Sequence, residues 1–162
     1  MAMQTDVSAK FVNLSGSVTS NRNRIKGAFF SPTVATNPNA SFVDTGAGVI
    51  TGGTYSQTTT TITVTRTDHG LVVGQRVALQ FTTGSAASGT FAVATVVDAN
   101  TFTVVTPLTG TNTGDVTIYT NVLLELAVSA LTQNGFIIPG EGILSPNGIY
   151  YVGIVETTVF YG

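Results

Sequence analysis

Residues 60–105 read TTITVTRTDHGLVVGQRVALQFTTGSAASGTFAVATVVDANTFTVV, and this stretch decides the fold class. Ile62, Val64 and Arg66 alternate with Thr61, Thr63, Thr65 and Thr67. A period of two with β-branched residues on both faces predicts a strand. Asp68-His69-Gly70 breaks the pattern with turn residues, and residues 71–75 form a short apolar link whose Gly74 permits a positive φ. Val77, Leu79 and Phe81 resume the alternation, with Arg76, Ala78 and Gln80 on the other face. Residues 84–89 read as a flexible loop. Phe91, Val93, Thr95 and Val97 make a third strand, Asp98-Ala99-Asn100 a tight turn, and residues 101–106 a fourth strand closed by Pro107. Four short strands at near-regular spacing predict a meander that curls into a small barrel, its interior filled by Phe81, Phe91 and Phe102.

The flanks carry weaker signals of the same kind. Residues 10–14 and 121–129 alternate as strands do, and 40–45 and 115–119 have strand character. The run Val122, Leu124, Leu126, Val128 against Leu123, Glu125, Ala127, Ser129 favours a strand, with a helix over VLLELAVSAL as the alternative. Residues 1–9 read as an arm or first strand and 31–39 as a loop. Residues 136–142 read as a strand closed by Pro139-Gly140. Ser145-Pro146-Asn147-Gly148 reads as an Asn-Gly turn, and 149–155 and 157–161 as the last strands, which tie the terminus into a sheet. The polar stretches 49–57 and 108–114 read as flexible connectors on either side of the central module. Neither flank makes a sheet alone; together they supply seven or eight strands, enough for a sandwich. The expected architecture is therefore all-β: a jelly-roll-like β-sandwich split between residues 1–56 and 111–162, with a small β-barrel inserted at 57–110.

The chain has 162 residues, 43% hydrophobic but only 9% charged, against about 25% charged in an ordinary soluble domain. A surface of neutral Thr, Ser and Asn steers poorly and repels its own copies little, which suits packing against identical or fixed neighbours. With a net charge of −2 and no basic tract, nucleic-acid binding is disfavoured. No apolar run approaches the roughly 20 residues that cross a bilayer, and the first residues lack a signal-peptide pattern; no membrane partner and synthesis in a cytoplasm are expected. There is no cysteine, so disulfides and thiolate metal sites are excluded.

His69 is the only histidine; it reads as a solvent-facing turn residue and cannot by itself build a triad or a multi-histidine metal site. The eight acidic residues are scattered. Asp98-Ala99-Asn100 lacks the glycine and terminal glutamate of a calcium loop, no phosphate-binding motif is present, and no serine lies in a nucleophile elbow. No catalytic, cofactor or metal residue is assigned, and an enzyme is not expected. Arg22, Arg24 and Lys26 fall at i, i+2 and i+4, and in a strand would share one face. They read either as a charged strand that blocks misassembly or as a contact face for an acidic partner.

Two resemblances add to this. The segments Val18-Thr19-Ser20-Asn21-Arg22-Asn23-Arg24-Ile25-Lys26-Gly27, Phe42-Val43-Asp44-Thr45-Gly46-Ala47-Gly48, Leu123-Leu124-Glu125-Leu126, Ile138-Pro139-Gly140-Glu141-Gly142-Ile143-Leu144, Asn147-Gly148-Ile149-Tyr150 and Val159-Phe160-Tyr161-Gly162 resemble, in that order, small β-structured virion proteins of tailed marine and cyanobacterial bacteriophages. The middle, Asp68-His69-Gly70-Leu71-Val72-Val73-Gly74-Gln75-Arg76-Val77 with Ser88-Gly89-Thr90-Phe91 and Asp98-Ala99-Asn100-Thr101-Phe102-Thr103-Val104, resembles a module recurring in phage virion proteins. It is also similar to the β-barrel half-domain near the catalytic cysteine of ubiquitin-activating enzymes, whose chemistry a chain without cysteine does not inherit. The resemblance implies a virion structural protein made in the bacterial host cytoplasm: a decoration or cement protein on the capsid exterior. Its partner would be the major capsid protein, its state a homotrimer or other homo-oligomer, and Arg22, Arg24 and Lys26 one anchor. The alternative is an adhesion module of a tail or head fibre that binds a receptor or glycan.

Overall fold

A computed structural model describes residues 7–31, 38–46, 48–127 and 134–162. The expected arm at 1–6, the loop residues 32–37, Ala47 and the end of the 121–129 run lie outside the described residues. The fold is all-β, with three antiparallel sheets.

The first sheet comprises β1 (Ser8–Val12), β13 (Glu156–Tyr161), β3 (Asn23–Ser31) and, along the far edge of β3, β10 (Asn134–Ile137) followed by β11 (Ile143–Ser145). The second runs β2 (Gly16–Ser17), β12 (Ile149–Val152), β4 (Ala40–Asp44), β9 (Val122–Leu126). Each sheet draws strands from both flanks, and their inner faces share one core. Ile25, Ala28, Phe30 and Val159 of the first sheet meet Phe42, Ile149 and Tyr151 of the second. The centre is aromatic: Phe42 and Tyr151 lie 5.5 Å apart and Phe30 and Phe136 stack at 6.2 Å. Burying such rings contributes about 2–3 kcal/mol each, and the Tyr151 hydroxyl donates to Val155 O at 2.9 Å, so no polar atom of that ring is stranded. Taking β10 and β11 as one interrupted edge strand gives eight strands that alternate between the sheets along the chain except at the middle, where β4 and β9 pair in one sheet, a jelly-roll arrangement.

The third sheet, β5 (Val49–Thr65), β8 (Thr101–Tyr119), β6 (Arg76–Phe81) and β7 (Gly89–Asp98), encloses its own core of Ile62, Val64, Val77, Leu79, Phe91, Phe102 and Ile118. Phe91 and Phe102 fill the interior as expected; Phe81 is half-buried and packs on Tyr55 with ring centres 4.4 Å apart. The expected connectors are not flexible. Residues 49–59 and 110–119 pair with each other as the outer halves of β5 and β8. The sequence concealed this because their partners lie some sixty residues apart and carry Thr, Ser and Gly instead of an apolar period.

Both long strands bend. The ladder of β5 jumps from Thr59↔Gly110 to Thr61↔Val105, so residues 106–109 bulge out of β8, and bulges of this kind turn a strand. Bending lets β8 pair with β7 through residues 101–104 and with β6 through 116–119. The buried Gln57 pins the bend: its Nε2 donates to Leu108 O at 2.8 Å and Thr59 O at 2.9 Å. The sheet rolls, but among the described residues no ladder closes it as a barrel, since β5 pairs there only with β8. Arg66 spans the seam instead, its Nε donating to Thr51 O at 2.7 Å.

A small third cluster, Val43 and Val152 against Ala78 and Tyr119, joins the second sheet to the central one. Beside it Arg76 grips Glu125 with two hydrogen bonds, one from Nε at 2.8 Å and one from Nη2, and Asn39 Nδ2 donates to the same carboxylate at 2.6 Å.

Candidate functional site

Phe29 and Phe30 are adjacent in β3, so their side chains point to opposite faces of the sheet. Phe30 goes to the core, which leaves Phe29 outside and 55% exposed. Register extends this outward face across four strands. Phe11, Thr158, Phe29 and Gly135 form one lateral row, and Ala9, Phe160, Gly27 and Ile137 the next. At the spacing between strands the rows are about 14 Å wide. Phe11 is 60% and Ile137 79% exposed. Phe29 and Phe160 meet edge to face with centres 5.8 Å apart. The ring of Phe29 lies on Gly135, where an added Cβ would sit 2.3 Å from Cδ1, so glycine there sets the attitude of the ring.

Between these rings and the turn after β10 runs a groove lined by Val7, Lys26, Phe29, Ile137, Ile138, Pro139, Gly140 and Phe160. The three basic residues of the sequence run take different places around it. Lys26 lines the groove and has no ion-pair partner among the described residues. Arg24 flanks the buried Ile25 and is spent on the turn: its Nη2 lies 3.0 Å from Glu141 Oε2, and its Nη1 donates to Gly142 O at 3.4 Å. Arg22 precedes β3, exposed in a loop, so the expected single strand face holds only Arg24 and Lys26. The apolar rows escaped the sequence reading, although the Phe29-Phe30 pair signalled them: in a strand, one of two neighbouring aromatics must leave the core.

His69 is buried, not solvent-facing. Leu71 N–H donates to Nδ1 at 3.0 Å, which places the ring proton on Nε2, 3.2 Å from Asp98 O, and the ring meets Phe102 at 5.0 Å. Asp68, in a left-handed conformation (φ 52°), donates its N–H to Asn100 Oδ1 at 3.1 Å, and His69 N–H donates to Ala99 O at 3.2 Å. Asp68-His69-Gly70 and Asp98-Ala99-Asn100 are thus one interlocked corner. A backbone partner 29 residues away in sequence is what draws the histidine inward. Four of the acidic side chains are engaged structurally here: Glu125 with Arg76, Glu141 with Arg24, Asp98 with Asn100 N–H, Asp115 with Thr83.

No protein-family model matches the chain, and no curated protein matches it. Among solved structures the chain is similar to part of Phage phi92 endosialidase, with 21% sequence identity and a TM-score of 0.33 over 81% of this chain and 20% of that one. The chain spans about a fifth of the length of that protein, and a likeness of this size fixes neither fold nor activity.

Proposed function

We propose that the chain is a structural protein of a bacteriophage virion that decorates the outside of the capsid, binds the major capsid protein and stabilises the shell as a homotrimer or other homo-oligomer. The virion assignment rests on the sequence motifs. The observation that carries the binding role is the apolar face of the first sheet, with Phe11, Phe29 and Ile137 exposed together. A contiguous apolar patch of this kind marks a place for a partner. The reading assigns no catalytic residue, cofactor or metal.

Purified protein titrated onto undecorated shells tests this. Phe29→Ser with Ile137→Ser is expected to weaken binding at least about a hundredfold, since each side chain stands to lose roughly 1.4 kcal/mol or more of burial, while thermal stability of the free protein changes little. Arg22→Ala with Lys26→Ala is expected to weaken it less and to lower its salt dependence. Failure of the wild type to bind shells, or full affinity in the Phe29/Ile137 variant, would overturn the reading. The competing reading, a fibre adhesion module, puts the working surface on the central sheet, where Val72, Val73, Val97 and Val105 are exposed. Imaging of labelled protein in intact virions separates head from fibre.

A further inference from the structure

The groove beside Lys26 narrows what can enter it by size, shape and charge. Its volume is about 410 Å³, toward the small end of the roughly 300–1,000 Å³ of binding pockets; that accommodates a side chain or two of a partner. The wall opposite the rings is held in place. Ile138 N–H donates to Lys26 O at 2.8 Å, Arg24 pairs with Glu141, and Gly142 (φ 78°) lies so close to β3 that a Cβ there would meet Ile25 O at 2.3 Å. A preformed groove has little ordering cost on binding. Among the described residues its lining is apolar apart from Lys26, with no carboxylate in it. A purely apolar visitor would desolvate that ammonium without pairing it, and a basic one would repel it.

We infer that the groove receives an aliphatic or aromatic side chain of a partner polypeptide with an Asp or Glu next to it, the carboxylate pairing with Lys26. This rests on the decoration reading for where the segment comes from, a capsid subunit, but not for its chemistry. Arg24 serves as a positioning residue that holds the wall.

Amide spectra of the full chain, titrated with acetyl-Glu-Leu-Phe-amide and with acetyl-Lys-Leu-Phe-amide, test the inference. The acidic peptide is expected to bind in the millimolar range, shift the amides of residues 26–29 and of Ile137, Ile138 and Gly140, and bind at least about threefold tighter than the basic one, the scale of an exposed ion pair. Lys26→Met is expected to erase that preference. Equal affinities, a preference that survives Lys26→Met, shifts confined to other strands, or no binding by either peptide at about 10 mM would overturn it. Shell titration separates the two readings. Shells that take wild type and Lys26→Met equally in low and high salt overturn the groove assignment and leave decoration standing. Peptide discrimination without shell binding overturns decoration and leaves the groove assignment.

Discussion

Asp44 is fully buried, and its carboxylate is surrounded by donors: Gly46 N–H and Asn147 Nδ2 at 2.8 Å to Oδ1, and Asn147 N–H at 3.1 Å and Ser145 Oγ at 2.7 Å to Oδ2. Burial works to raise its pKa, but the hydrogen bonds from Asn147, Ser145 and Gly46 outweigh it and hold the group below its ordinary 3.8. The folded value therefore lies below that of the unfolded chain. The site contributes its full stability above about pH 5 and loses it as pH falls through the folded value. Asp44→Ala is expected to cost about 3 kcal/mol, because several donors lose a charged acceptor at once. In Asp44→Asn the extra fall in Tm expected of the wild type between about pH 4 and pH 2 should be missing; thermal melts across that range check both. The residues meeting here, Phe42-Val43-Asp44-Thr45-Gly46 and Asn147-Gly148, stood out in the sequence as motifs. Their reason for being together did not, since a chain read in order does not show that position 44 will sit against position 147.

Among the elements, strand content was the most legible property. The sequence signals located β4, β6, β7, β9 and β13 closely, and the described part of the 121–129 run is a strand, not a helix. Length was misread for β5 and β8, which run 17 and 19 residues. Half of each is a neutral polar ribbon whose stability comes from cross-strand pairing, and pairing leaves no mark on local composition. Gln57 shows the same limit: within a Ser/Thr/Gly stretch it looks like surface, yet it satisfies the carbonyls left open by the bulge in β8. Gln57→Leu is expected to cost about 1–2 kcal/mol by leaving the Leu108 and Thr59 carbonyls without their donor. Urea unfolding with an unchanged m-value would record it, and a loss under about 0.5 kcal/mol would mean that the bend holds itself.

At the scale of the whole molecule, one pairing scheme runs through everything: β1 with β13, β2 with β12, β3 with β10 and β11, β4 with β9, β5 with β8, β6 with β7. The chain is a nested antiparallel hairpin, rolled once into a sandwich and again at its tip. The innermost pair closes a short loop and the outermost joins the ends of the chain, so entropy favours zipping outward from the tip. The tip also has its own core, distinct from that of the sandwich. We therefore expect residues 48–120, expressed alone, to unfold cooperatively with β-type circular dichroism. Joining residues 1–47 to 121–162 by a short Gly-Ser link should give a sandwich of lower Tm, because it loses Ala78, Tyr119 and the Arg76–Glu125 pair. An unfolded 48–120 fragment would show that the rolled sheet depends on the sandwich to fold.

The sequence by itself determined that the chain is built of strands, where most of them run, and that the flanks need each other. Those properties follow from alternation and turn chemistry, which act between neighbours along the chain. Only the tertiary structure decided that 49–59 pairs with 110–119, that His69 is buried, that Arg24 holds a turn while Lys26 lines the groove, and that Phe29 and not Phe30 faces out. Each of those depends on which distant strand arrives alongside and in what register, and a shift of one residue in a β ladder exchanges its two faces.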